Sequence, residues 1–180
     1  MRLVFWGLLL LTLNAVAASR EVVITTRESA VTFDELSYLK DKDSNLSLRQ
    51  VIKSSFLPLK PDQVPSFGFD AAAYWFKLNI KNPGRQVKWF LEVAYPPLDE
   101  IQIFYKDSLD NWVSKKSGDI FPISSREVPY HHFVFPISVL GNDSEIYIRL
   151  KTTSSVQLPL TIWSPEKFYE SASQLQFANG

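Results

Sequence analysis

The chain has two histidines, and they are adjacent: His131 and His132 in "VPYHHFVFPI". On an extended strand, neighbouring side chains point to opposite faces, so these imidazoles should not share a metal. No third histidine or carboxylate stands at ligand spacing, and the absence of cysteine removes thiolate metal sites, thiol catalysis and disulfides. Asp99-Glu100 and the other carboxylates lie scattered on turns, without the paired arrangement that glycoside hydrolysis requires. No G-x-S-x-G, H-E-x-x-H, P-loop or dinucleotide-binding fingerprint occurs. These features imply no catalysis, metal or other cofactor.

Recognition chemistry is better represented. Trp75, Phe90, Phe104, Tyr147 and Trp163 are interleaved with Lys77, Asn79, Glu92, Arg149 and Gln157. Aromatic faces can cover the C–H patches of a sugar while such polar groups bond its hydroxyls. Trp75, Lys77, Phe104, Arg126, Tyr147, Arg149 and Trp163 are therefore the candidate contacts for a small-molecule ligand, with carbohydrate as its candidate class. The alternative is packing, because Phe33, Leu36, Tyr38, Phe56 and Phe67 of the N-terminal segment need a surface to bury against. It is the stronger reading for any one of these aromatics, and stronger still for Trp75, over whose ring Lys77 and Arg149 can lie. In "SGDIFPISSREVPYHH", Gly118 permits a turn, and Arg126 either pairs with Asp119 or faces a ligand.

The elements that must position these residues are mostly strands. Ala73–Lys81, Val87–Tyr95, Glu100–Lys106, Trp112–Lys116, Tyr130–Ile137, Glu145–Lys151 and Val156–Trp163 are predicted strands, separated by Asn-Pro-Gly, Pro-Pro and Gly-Asn-Asp breaks. Upstream, Glu21–Thr26 reads as an edge strand and 41–45 as an exposed turn. Ser47 and Gln50 form a capping box for a short helix over Leu48–Lys53, and the prolines make 57–66 an extended connector. Short strands joined by turn chemistry indicate an all-β antiparallel sandwich or barrel with one or two short helices.

Alternation assigns the inward faces: Tyr74, Phe76, Leu78 and Ile80; Trp89, Leu91, Val93 and Tyr95; Ile101, Ile103 and Tyr105. Phe133, Phe135 and Ile137, then Ile146, Ile148 and Leu150, then Leu158, Leu160 and Ile162, complete the two inner faces. Thirteen Phe, seven Tyr and five Trp suit such a core, and six glycines argue against a Gly-rich phosphate loop.

Arg2, the apolar run Leu3–Leu13 and the small residues Ala15–Ala18 match a secretory leader spanning 1–18. Removing it leaves 18 basic against 19 acidic residues, a net charge near −1 that gives no reason to expect nucleic acid. The sandwich is then expected over 19–170, with 171–180 as a juxtamembrane linker or truncated end.

"FGFDAAAYWFKLNIKN", "WFLEVAYPPLDEIQIFY", "GDIFPISSR", "FVFPI", "IYIRLKT" and "LPLTIWSPEKF", in that order, resemble the second class of extracellular domain of bacterial seven-transmembrane receptors with diverse intracellular signalling modules. The resemblance runs from about residue 30 to 170. It implies a jelly-roll β-sandwich similar to carbohydrate-binding modules, exported to the periplasm and tethered to the cytoplasmic membrane by helices C-terminal to this chain. The implied function is a non-enzymatic sensor. A standalone secreted carbohydrate-binding module and a periplasmic protein-interaction domain using an exposed strand edge remain the alternatives. An apolar run of roughly 20 residues after Gly180 in the gene would favour the receptor. Oligomeric state is not readable from the residues.

Overall fold

The computed structural model describes residues 21–24, 30–32, 36–59, 64–141 and 143–178; the leader assignment lies outside them. In chain order the elements are β1 (Val22–Val23), β2 (Ala30–Thr32), β3 (Ser37–Asp41), α1 (Leu48–Val51), β4 (Leu57–Pro58) and β5 (Ser66–Phe69). β6 (Ala73–Lys81), β7 (Lys88–Val93), β8 (Glu100–Lys106), β9 (Trp112–Ser117) and β10 (Phe133–Ser138) follow. β11 (Ser144–Lys151), β12 (Ser155–Gln157), β13 (Leu160–Trp163) and α2 (Pro165–Ala178) end the chain.

The larger sheet runs β4-β3-β6-β11-β8-β9, with β1 added parallel to the end of β6. The smaller runs β10-β7-β13-β2, and β12 pairs with β5 in a two-stranded sheet. Apart from β1, the pairings are antiparallel. Tyr74, Phe76, Leu78, Ile80, Ile101, Ile103, Ile146, Ile148 and Leu150 of the larger sheet meet Trp89, Leu91, Val93, Phe133, Phe135, Ile137, Leu160 and Ile162 of the smaller in one core. The expected inner faces are therefore the core of an all-β sandwich, with Tyr95 packed at its edge.

Four differences from the sequence reading have local causes. β3 is a strand although Ser37-Tyr38-Leu39-Lys40-Asp41 does not alternate polar and apolar. Tyr38 packs on the main core and Leu39 on a second cluster, so both of its faces bury apolar groups. The expected strand Val156–Trp163 is two, because the chain changes partner at Pro159, which has no N–H to donate. Leu158 N–H donates to Pro65 O at 3.0 Å, and Pro159 O accepts from Ala94 N–H at 3.0 Å.

The third strand difference is at β10, which starts at Phe133 rather than Tyr130, leaving both histidines before the strand. Finally, Pro165–Ala178 forms the helix α2, to which the sequence reading gave no element. Ser164 caps it, accepting from Lys167 N–H at 3.4 Å, with Pro165 at the first helical position and Glu166 in the first turn. Among the described residues, no helix is long and apolar enough to cross a membrane.

Candidate functional site

The outer face of the larger sheet carries Trp75, Phe104 and Tyr147. Trp75 and Tyr147 are each 1% exposed and form a second core with Val51, onto which Leu39, Leu46, Leu48, Phe56 and Trp112 pack. Trp75 stacks on Phe104 with centroids 5.4 Å apart, and Tyr147 meets Trp112 edge-on at 5.6 Å. The cover is the chain from the 42–44 turn through α1 to Phe56, the 42–56 cap. Gln50 anchors α1 by accepting the Ser47 N–H at 2.9 Å. Buried Asp41 anchors the turn, accepting from Leu46 N–H at 3.0 Å and Trp75 Nε1–H at 3.4 Å. Trp75 and Tyr147 thus present no ring face to solvent. Lys77 lies at the margin of this cluster, pairing with Glu145 at 2.5 Å and standing 5.7 Å over the Tyr147 ring. Burial first, then the Glu145 carboxylate, pushes the Tyr147 phenol well above its ordinary range.

The smaller sheet's outer face is organised around Glu92, which is 6% exposed. Its carboxylate accepts from Trp163 Nε1–H at 2.5 Å and lies 2.6 Å from His132 Nδ1. The first turn of α2 covers the same face: buried Phe168 meets Phe90 at 5.0 Å and Tyr130 at 5.1 Å. Because the histidines precede the strand, strand alternation does not separate them, and their rings lie 4.0 Å apart, on the same side. Desolvation, then His132, lowers the His131 pKa against an opposing pull from Glu92. Among the described residues, no group of three His, Asp or Glu side chains is arranged to hold a metal.

Arg126 does not pair with Asp119. Its Nη1 donates to Tyr130 O at 2.7 Å while the guanidinium stacks 4.6 Å over the Phe133 ring, closing the 126–131 loop onto the sandwich. Arg149 donates to Glu100 Oε1 at 2.7 Å and to Ser44 O at 3.2 Å. The expected contacts therefore fall into separate environments: Trp75, Phe104 and Tyr147 under the cap, Trp163 beside α2, Arg126 in its loop, and Lys77 and Arg149 in ion pairs.

An open concavity lies at one end of the sandwich, where turns and strand ends meet. It encloses about 820 Å³, lined by Phe69, Asp70 and Ala71, Asp99 and Glu100, Ile120, and Lys151, Thr152 and Thr153. That volume suits a small molecule. Phe69 is 83% exposed and Ile120 64%, so the groove offers water two large apolar side chains. Its polar wall is firmly held. Asp99 Oδ2 accepts from Thr153 N–H at 2.7 Å and from its hydroxyl at 2.8 Å. Asp70 forms an ion pair with Lys40 and accepts from Ala72 N–H at 3.0 Å and the Tyr74 hydroxyl at 2.7 Å. Lys40 first, then Ala72 N–H, holds the Asp70 carboxyl well below the usual carboxylate range.

Gly118 makes the approach of the 118–122 loop possible. A Cβ there would stand 1.9 Å from Asp99 O, so any side chain would force the loop off the 96–99 turn. Asp119 N–H donates to Leu98 O at 2.8 Å, which sets Ile120 at the groove. None of the candidate contacts read from the sequence lines this groove, although Arg149 touches it through Glu100. The missed residues sit in turns and at strand ends far apart in the chain. Their one local signal is an aromatic beside Gly68, whose φ of +68° ends the regular alternation.

The family model described as 7TMR-DISM extracellular 2 matches residues 34–164, a span that includes the cap over the larger sheet and every lining residue of the groove. No curated protein matches the chain.

Proposed function

The chain belongs to the 7TMR-DISM extracellular 2 family, and from that premise we propose that it senses a small ligand by binding alone, in the groove at Phe69 and Ile120. As a member of an extracellular domain family of seven-transmembrane receptors, it is the exported sensor portion of a membrane receptor. The observation that carries the binding reading is the pairing of two exposed apolar side chains with a wall of already ordered carboxylates and hydroxyls. Such a site needs little reorganisation when a ligand arrives.

Carbohydrate is the ligand class we favour. The Phe69 ring can cover a C–H face, and Asp99, Thr153 and Lys151 stand around the same concavity to bond hydroxyls. Residues 1–18 act as the leader in this reading, and amino-terminal sequencing of the exported protein should begin near Ser19. A thermal-shift screen of the mature domain against sugars, amino acids and nucleotides tests the ligand class. Stabilisation by a sugar that Phe69→Ala abolishes supports the proposal; a binder indifferent to Phe69→Ala places its site elsewhere.

A further inference from the structure

Two of the groove's carboxylates do not end at the groove. Glu100 lines it, and the same carboxylate bonds Arg149 Nη1 at 2.7 Å and Lys116 Nζ at 2.7 Å. Arg149 Nη2 then donates to the carbonyl of Ser44, 3.2 Å away. Ser44 occupies the left-handed region at φ +55°, a conformation that a non-glycine residue keeps only when its surroundings hold it. Those surroundings are Arg149 on its carbonyl, Ala73 N–H, which donates to Ser44 Oγ at 3.0 Å, and the turn itself, in which Ser44 N–H donates to Asp41 O at 3.1 Å. Ser44 belongs to the turn that begins the cap over Trp75 and Tyr147. Asp70 makes a second link, pairing with Lys40 in the strand that leads into this turn.

We propose that Glu100 and Arg149 transmit occupancy of the groove to the 42–56 cap. This rests on the groove being the ligand site. A ligand donor or cation that takes a Glu100 oxygen competes with Arg149, and a released Arg149 no longer holds the Ser44 carbonyl. The turn then loses one of the three hydrogen bonds that hold Ser44 left-handed, the one that ties it to the sheet's arginine, and the cap loosens over the second core. Lys116 stands 5.1 Å over the ring of Phe121, next to Ile120, so the groove's loop senses the same carboxylate. The conformational output is a change of the N-terminal cap, with the sandwich unaltered.

The chain has no cysteine, so a cysteine placed at the groove can be modified alone. Ile120→Cys is labelled with 2-(trimethylammonio)ethyl methanethiosulfonate, and a parallel sample with its uncharged 3,3-dimethylbutyl isostere. Amide exchange and the Trp75 indole N–H resonance report the cap, and the Phe135 amide reports the sandwich. The cationic adduct should speed exchange at Asn45 and Leu46 by at least about five-fold over the isostere, the lower end of couplings between linked sites. It should also shift the Trp75 resonance, leave Phe135 unchanged, and lose both effects when combined with Glu100→Gln. Phe69→Cys, at another residue that lines the groove, provides a second attachment point. An adduct that leaves cap exchange unchanged, acts equally with Glu100→Gln, or accelerates Phe135 alike overturns the relay. Failure of every compound to bind would overturn the ligand groove instead, and would leave these exchange rates untouched.

Discussion

Both sheets hide their outer faces, but by opposite means. The larger sheet covers Trp75 and Tyr147 with an apolar cap, and its buried polar group, Asp41, is satisfied chiefly by the cap's own backbone. The smaller sheet buries Glu92 itself and uses it to gather His132 and Trp163 beside the α2 helix. One face is held mainly by area removed from water, the other by a charged acceptor with two partners. The difference teaches that an aromatic beside a charge on a strand has two fates. Trp75 became a covered core residue, whereas Trp163 stayed half-buried as a hydrogen-bond donor.

This contrast can be broken by substitution. Trp75→Ala should have the largest effect, a loss of about 3–5 kcal/mol, because it empties the second core beneath a cap that cannot collapse fully. Urea unfolding followed by circular dichroism measures it; a loss below about 1 kcal/mol would mean that the cap is not packed as described. Glu92→Ala should cost less, about 1–3 kcal/mol, since it leaves two side-chain donors without their acceptor. The same unfolding experiment checks this, and amide exchange in α2 should rise more than in the 42–56 cap.

A smaller effect separates the groove from both faces. Burial opposes ionisation of Glu100, yet Lys116 and Arg149 outweigh it and hold the carboxyl below its ordinary 4.5. A carboxyl with a lowered folded value stabilises the fold above 4.5 and loses that contribution as pH falls through the folded value. Arg149→Met should therefore flatten the decline of melting temperature between pH 5 and 3; an unchanged slope would show that Arg149 contributes nothing to it. Phe69→Ala should alter stability least, by under about 0.5 kcal/mol, because the side chain already lies in water.

Much of the sandwich was legible. Ala73–Lys81 and Glu100–Lys106 fold over the limits their alternation marks, and their inner residues form the core. β3 was not legible because Tyr38 and Leu39 bury opposite faces, which erases the alternation a half-buried strand shows. α2 had a signal in "SPEK", whose Ser164 and Pro165 are a cap and a first helical residue, but the strand pattern before it masked the change of period. The groove was the least readable part. Phe69 ends β5 while Asp99, Ile120 and Thr153 lie in three separate turns, and only the folded sandwich brings them together. Strand alternation finds faces of sheets, and this concavity belongs to an end.

The central claim, that ligand enters at this end, is tested most directly by a ¹⁵N-edited NMR titration of the mature domain with the sugar that stabilises it most. Shifts that begin at Phe69–Ala71, Asp99, Ile120 and Thr152–Thr153 and saturate together are the expected result. Shifts confined to the α2 face around Glu92 and Trp163, with the groove silent, would contradict it.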